Sequence, residues 1–356
     1  MSLKNPLPSI NGIRGISILL VILHHLNVQY GIFSYVYTNK SLAVKPLLAI
    51  TNLICDGHLG VNIFFVISGF LITYLLINEE QEKGKINIKK FFIRRTFRIF
   101  PAYYFMLLVY LVLQRIQLID LTPASWLTSF TYTKYLNWNL DWFTSHAWSL
   151  SIEEQFYLLW PFTFYFFKRK RKFLLWGIVA VVPFLRLAGH HYELSWISEL
   201  SLFYRIDAIA FGCLLAFYKD HLLNLSEQRA WQLFIVSLLV IVSITSAMVP
   251  LSKWAGLEAI WIPLGTTNGS LANIAIAFVL FYSVYRAKGW YYRLFNSKVL
   301  STIGIYSYSI YLWQQLFTYP ELFPFPINVL CIFAAAFFSY HVVEQPMLKI
   351  KDRIGH

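Results

Sequence analysis

Charge is scarce in this chain: Asp, Glu, Lys and Arg make up 13% of its 356 residues. A soluble globule of this length needs about twice that share to cover its surface, so a water-soluble fold is excluded. Acidic residues are scarcest, 17 against 30 Lys and Arg, for a formal net charge of +13. The basic residues fall in short clusters between hydrophobic runs. That pattern is a topology signal facing lipid headgroups and excludes nucleic acid as the partner. Cysteine is nearly absent, and Cys55, Cys213 and Cys331 are scattered and odd in number, which argues against a disulfide framework or a metal site. No low-complexity linker, repeat or soluble segment interrupts the hydrophobic runs. One transmembrane domain over residues 1–356 is therefore expected.

What the chain has in abundance is apolar surface, with 58% hydrophobic residues and 19% aromatic. Spans of about 20 residues are predicted near 9–30, 58–78, 99–119, 146–167, 173–188, 206–222, 231–249, 270–286, 299–318 and 326–345. The expected fold is an all-α polytopic membrane protein of about ten transmembrane helices, both termini cytoplasmic, in a bacterial inner or plasma membrane. In that orientation 23 of the 30 Lys and Arg lie inside and seven outside, as the positive-inside rule requires. The first span is too long for a signal-peptide core, holds ionisable residues and lacks a small-residue cleavage site.

Within that first span, Arg14 and His25 share a face. Eleven steps of about 100° make three turns plus roughly 20°, so the side chains align about 16 Å apart along the axis. Ionisable groups on a span are costly toward lipid and face a bundle interior or a watery cavity. Arg14 is near enough to the span's end to snorkel, whereas His25 is too deep. His24 points about 100° away from His25, which singles out His25.

A second cluster ends the predicted cytoplasmic loop from Asn78 to Arg98. Arg94, Arg95 and Arg98 are spaced three and four apart, so on a helix they project guanidinium groups from one side. Guanidinium forks suit phosphate oxygens, although a basic stop beside anionic lipid has the same look. A third feature is Trp148-Ser149-Leu150-Ser151-Ile152-Glu153-Glu154, where two consecutive carboxylates sit inside a span. Such a carboxylate can orient an imidazole, raise its basicity or take a proton. Outside, the Asp120 to His146 loop carries Trp126, Tyr132, Tyr135, Trp138 and Trp142, more in keeping with an interfacial aromatic belt than with a sugar platform.

Taken in order, these segments resemble the polytopic membrane acyltransferase-3 family. The resemblance runs through Asn11-Gly12-Ile13-Arg14-Gly15-Ile16 with His25, then Gly60-Val61-Asn62-Ile63-Phe64-Phe65-Val66-Ile67-Ser68-Gly69-Phe70-Leu71-Ile72. It continues through Arg94 to Pro101, Trp148 to Tyr157, Arg205-Ile206-Asp207-Ala208, Tyr306 to Trp313 and Val343-Glu344-Gln345-Pro346. It implies O-acylation of surface polysaccharides and related glycans, with the acyl group drawn from cytoplasmic acyl-CoA, commonly acetyl-CoA, and no permanently bound cofactor or metal. It also implies His25, Arg14 and a Glu best matched by Glu153 as catalytic residues, the Glu orienting the imidazole, and Arg95 and Arg98 with Arg94 as the donor's phosphate partners. His25 would act as general base on the acceptor hydroxyl or carry the acyl group, and Arg14 would hold the donor or the oxyanion. Glu154, Trp148, Ser68, Arg205, Asp207 and Glu344 are further candidates.

Two positions depart from the family pattern. Asn62 and Gln314 stand where many relatives have Asp and His, so no charge at the first and no second histidine role at the second are expected. The chain stops at His356 without the extracellular hydrolase-like domain some relatives append, so the acceptor, a surface or lipid-linked glycan, is expected to be served by the membrane domain or a separate partner. A secondary transporter would show repeats or paired broken helices, and a membrane scaffold would need no Arg, His and Glu constellation. Neither is favoured.

Overall fold

The computed structural model describes residues 7–38, 45–137, 141–168, 170–194, 201–246 and 266–354, and within them it is helical, with no strand. The helices are α1 (Ile10–Tyr30), α2 (Ser34–Thr38), α3 (Lys45–Ile54), α4 (Gly57–Lys83), α5 (Ile88–Arg115), α6 (Pro123–Phe130), α7 (Trp142–Ser145) and α8 (Ala147–Phe166). They continue as α9 (Arg171–His191), α10 (Leu202–Leu223), α11 (Glu227–Ser246), α12 (Ser270–Tyr285), α13 (Gly289–Phe295), α14 (Lys298–Phe317), α15 (Ile327–Ser339) and α16 (Gln345–Ile354).

Each of the ten expected segments coincides with a helix, but as membrane spans they are not equal. Six helices among the described residues are long and apolar enough to cross a bilayer: α1, α4, α5, α9, α11 and the continuous run Ile327–Lys351. A seventh span results if α12 and α13, bent by 100° at their junction, count as one. The expected fifth span, read as a short 173–188, is a 21-residue helix and one of the six. The helices that fall short, α8, α10 and α14, are the ones loaded with polar groups: Glu153 and Glu154 on the first, Arg205 and Asp207 on the second, and Ser307, Ser309, Gln314 and Gln315 on the third.

The expected loop from Asn78 to Arg98 is mostly helix. α4 runs on to Lys83 and α5 begins at Ile88, leaving four residues, 84–87, between them. Gly84 turns the chain at φ +70, a conformation open to glycine at no steric cost, and the Asn87 side chain accepts a 2.9 Å bond from the Lys90 amide to cap α5. The Arg94 to Arg98 stretch therefore lies inside a helix.

The Cα framework divides into two compact units. One comprises Leu75–Lys168 and Tyr306–His356, and the other Leu7–Tyr74 and Arg169–Ile305. In the second, α1 packs through its glycines. A Cβ built on Gly12 would lie 1.9 Å from the Phe295 carbonyl oxygen, one on Gly15 2.5 Å from that of Leu300, and one on Gly304 1.8 Å from that of Asn11. Close approach of this kind is how helices associate where apolar burial gives no drive. Gly69 and Gly212 are paired in the same way, each with its built Cβ 2.0 Å from a carbonyl oxygen of the other's helix. Asn296 adds a clasp, accepting from the Ser9 amide at 2.8 Å and donating to its hydroxyl at 2.9 Å.

In the first unit the described residues 120–137 and 141–146 are held by polar contacts within the segment and to its neighbours. Lys134 Nζ donates to Asp141 at 2.5 Å, Trp126 Nε1 to Gln114 at 2.6 Å, and Tyr135 Oη to Gln155 at 2.7 Å. Tyr132 is buried and stacks on Tyr103 with ring centroids 4.5 Å apart. Trp142 Nε1 donates to the Gln315 carbonyl at 2.9 Å. Trp126, Tyr132, Tyr135 and Trp142 each make a contact that holds this segment, and Trp138 lies outside the described residues.

Candidate active site

The second unit gathers a histidine cluster where the C-terminal end of α1 meets the start of α4. His25 Nδ1 bonds the Val21 carbonyl at 2.9 Å. A carbonyl oxygen only accepts, so Nδ1 carries the proton and Nε2 is the nitrogen with the lone pair. His24 Nδ1 likewise donates to the Cys55 carbonyl at 2.9 Å, and its ring packs against Gly57, where a Cβ would come within 2.8 Å. The two rings meet edge to face with centroids 5.3 Å apart, and His58 lies 6.0 Å from His24.

Arg205 sets the state of His58. It is fully buried and donates to His58 Nδ1 at 2.9 Å, to Asn62 Oδ1 at 3.1 Å and to Asn268 Oδ1 at 2.5 Å. A guanidinium cannot accept, so His58 holds its proton on Nε2. The departure at Asn62 gains a physical reason here: its amide accepts from Arg205 while donating to the Thr267 carbonyl at 2.6 Å, which a carboxylate cannot do. Asp56 caps α4, accepting from the Leu59 amide at 2.8 Å. Burial raises its carboxyl above the ordinary range, against the opposing pull of the Leu59 amide, Thr267, His24 and Arg205.

Asp207, which follows Arg205 by two residues, has a different task. It pairs with Arg186, and both side chains are fully buried. Ser270 donates to Asp207 at 2.6 Å, and Arg186 reaches the Tyr204 carbonyl through Nε at 2.9 Å. Every charge in this group has a partner, as a buried pair requires, and it ties α9, α10 and α12 together. Arg14 lies half-buried on α1 between Gly12 and Gly15, whose packing fixes the height of its backbone, and Ser68 lies half-buried on α4.

The first unit carries the arginines and glutamates. Arg94 pairs with buried Glu79 at 3.2 Å. Arg95 lies 3.8 Å from Glu154, with its guanidinium carbon 3.4 Å above the Tyr157 ring. Arg98, more exposed, sits within the electrostatic reach of Arg95, Glu344 and Glu153. Glu344 is buried and accepts from Ser309 at 2.9 Å. The arginine cluster is thus built with its own counter-charges: Glu154 faces Arg95, while Glu153 and Glu344 moderate Arg98. Trp148 is buried on the same helix as the two glutamates.

His25, Arg14, Ser68, Arg205 and Asp207 lie in the second unit, and Arg94, Arg95, Arg98, Trp148, Glu153, Glu154 and Glu344 in the first. His58, Asp56 and Asn268 escaped the sequence reading; the Asp56-Gly57-His58 run, directly ahead of the Gly60 to Ile72 stretch, was the signal that would have marked two of them. Among the described residues no group of His, Cys, Asp and Glu is arranged to hold a metal ion.

An acyltransferase domain family model matches residues 7–342. The chain belongs to this acyltransferase family. It is similar to the O-acetyltransferase OatA of Staphylococcus aureus (strain NCTC 8325 / PS 47), 28% identical over 386 residues that cover 96% of this chain and 57% of the relative. It is similar also to the peptidoglycan O-acetyltransferase OatA of Listeria monocytogenes serovar 1/2a, 28% identical over 381 residues, 96% of this chain and 56% of that protein. The chain spans a little over half the length of these relatives. No solved structure matches it. With its apolar helices, this member of the family is a multi-pass protein of the cell membrane.

Proposed function

We propose that this protein is a membrane O-acyltransferase that moves an acetyl group from cytoplasmic acetyl-CoA to a hydroxyl of a surface or lipid-linked glycan, working as one transmembrane domain of ten spans with both termini cytoplasmic. The observation that carries the reading is the 2.9 Å bond between His25 Nδ1 and the Val21 carbonyl. A backbone carbonyl one turn back holds Nδ1–H and leaves Nε2 as the basic nitrogen. In the reaction Nε2 takes the proton of the acceptor hydroxyl as its oxygen attacks the thioester carbon. The carbon–sulfur bond then breaks, and the departing thiolate recovers the proton from Nε2. The same nitrogen suits transient acyl transfer through an acyl-histidine.

Arg14 supplies positive charge to the oxyanion or to the donor. Arg95 and Arg98, with Arg94, receive the donor's phosphates, because forks with several N–H groups match phosphate oxygens. Glu153 is the proposed catalytic carboxylate, and it also bears on the charge balance of that cluster. The relatives' names support a peptidoglycan-type acceptor, a glycan with free hydroxyls.

The reading is tested by His25→Ala. Ester-linked acetate on the isolated cell-wall glycan is expected to vanish while membrane abundance of the protein is unchanged. Acetylation at the wild-type level in that variant refutes it.

A further inference from the structure

The turn between α4 and α5 borders a cavity that the reaction above does not use. It has a volume of about 380 Å³ and is lined by Lys83, Lys85, Ile86, Asn87, Ile88, Lys90 and Tyr165. Its chemistry is specific in kind: three ammonium groups, two isoleucines and an aromatic ring whose residue is 64% exposed. Ammonium groups answer a phosphate, and a flat ring beside apolar side chains answers a heteroaromatic base. The volume falls in the range of small-molecule sites.

One lining residue, Lys90, shares α5 with the arginine cluster. Lys90 and Arg94 are four apart on α5 and so neighbours on one face, and Arg98 is one turn further, about 12 Å along the axis from Lys90. A ligand with one phosphate would need one end of this run. A ligand with two separated anionic groups would use both.

We propose that this cavity seats the nucleotide end of the acyl-CoA donor, with Lys83, Lys85 and Lys90 holding the 3′-phosphate and Tyr165 stacking on the purine, while the diphosphate reaches the arginines. The assignment rests on the acyl-CoA reading above and gives it a second anchor. It explains why the two helices continue past the apolar spans on either side of a four-residue turn, and why lysines cluster there beside an aromatic ring. A lipid headgroup shares the phosphate chemistry but has no base for Tyr165.

Purified wild-type protein, titrated calorimetrically with coenzyme A and with 3′-dephospho-coenzyme A, distinguishes these. The 3′-phosphate is expected to improve affinity by at least about tenfold, the value of one charge-assisted contact. Replacing Lys83, Lys85 and Lys90 together with Gln should abolish that preference and leave dephospho-coenzyme A affinity within about twofold. Lys85→Gln alone, on the exposed turn and clear of Glu79, should remove part of it, and Tyr165→Leu should weaken both ligands alike. Elution volume and melting temperature confirm folding of each variant. If wild-type protein binds both ligands equally, or the triple variant keeps its preference, the subsite is refuted and the donor reading stands. If wild-type protein binds neither, both fall. If the triple variant loses binding to phosphatidylglycerol vesicles while keeping its coenzyme A preference, the lysines serve headgroups and the subsite is refuted.

Discussion

His24 and His25 are adjacent in sequence and bond backbone carbonyls through the same ring nitrogen, yet their positions assign them different work. The His24 bond reaches across to Cys55 and its ring fills the space left by Gly57, so it fastens α1 to the segment before α4. The His25 bond is internal to α1 and fixes only its own tautomer. His24→Ala is accordingly expected to lower the melting temperature while activity per folded molecule persists, the reverse of His25→Ala. The arginines separate in the same way. Arg95→Gln combined with Arg98→Gln should weaken acyl-CoA binding in detergent by about tenfold or more, since charge-assisted bonds contribute roughly 1.5–3 kcal/mol each where water is excluded and less at exposed Arg98. Lys at both positions keeps the charge and loses the fork, and should recover part of the affinity. Equal affinity in the Gln variant would move the phosphate site elsewhere.

At the scale of elements, each segment expected from hydropathy falls on a helix among the described residues, because a span of about 20 apolar residues leaves little choice but helix in a membrane. The expected Asn78 to Arg98 connection is mostly helical for a physical reason. Glu79 pairs with Lys83 one turn on and with Arg94 across the turn, which lets both helices continue. Alignment of Arg14 with His25, and of the three arginines, was legible because helical periodicity is local. The Arg205 contact with His58 was not, since its partners lie 147 residues apart and nothing in either segment announces the other. The glycines of the Asn11 to Ile16 stretch were read as motif letters, and their meaning is contact distance. Gly304→Val should separate α1 from α14, costing about 1–3 kcal/mol by overpacking, and should lower both melting temperature and activity. A melting temperature equal to wild type would remove the glycine contact from the account.

For the whole molecule, charge asymmetry carries the topology, with 23 basic residues on the proposed cytoplasmic side and seven on the other. In a background lacking Cys55, Cys213 and Cys331, a cysteine replacing Asn139 should react with an impermeant maleimide in intact cells, and one replacing Lys170 only after permeabilisation. The reverse pattern would strand the arginine cluster on the side without coenzyme A. The central claim is acyl transfer itself, and reconstitution tests it most directly. Wild-type and His25→Ala proteins are placed in proteoliposomes with acetyl-labelled acetyl-CoA and a soluble peptidoglycan fragment on opposite sides of the membrane. The account predicts that wild-type protein transfers label into an alkali-labile ester on the glycan and that the His25→Ala protein, equally abundant, transfers none. Label that enters the vesicles without becoming esterified, or that is esterified equally by both proteins, contradicts it.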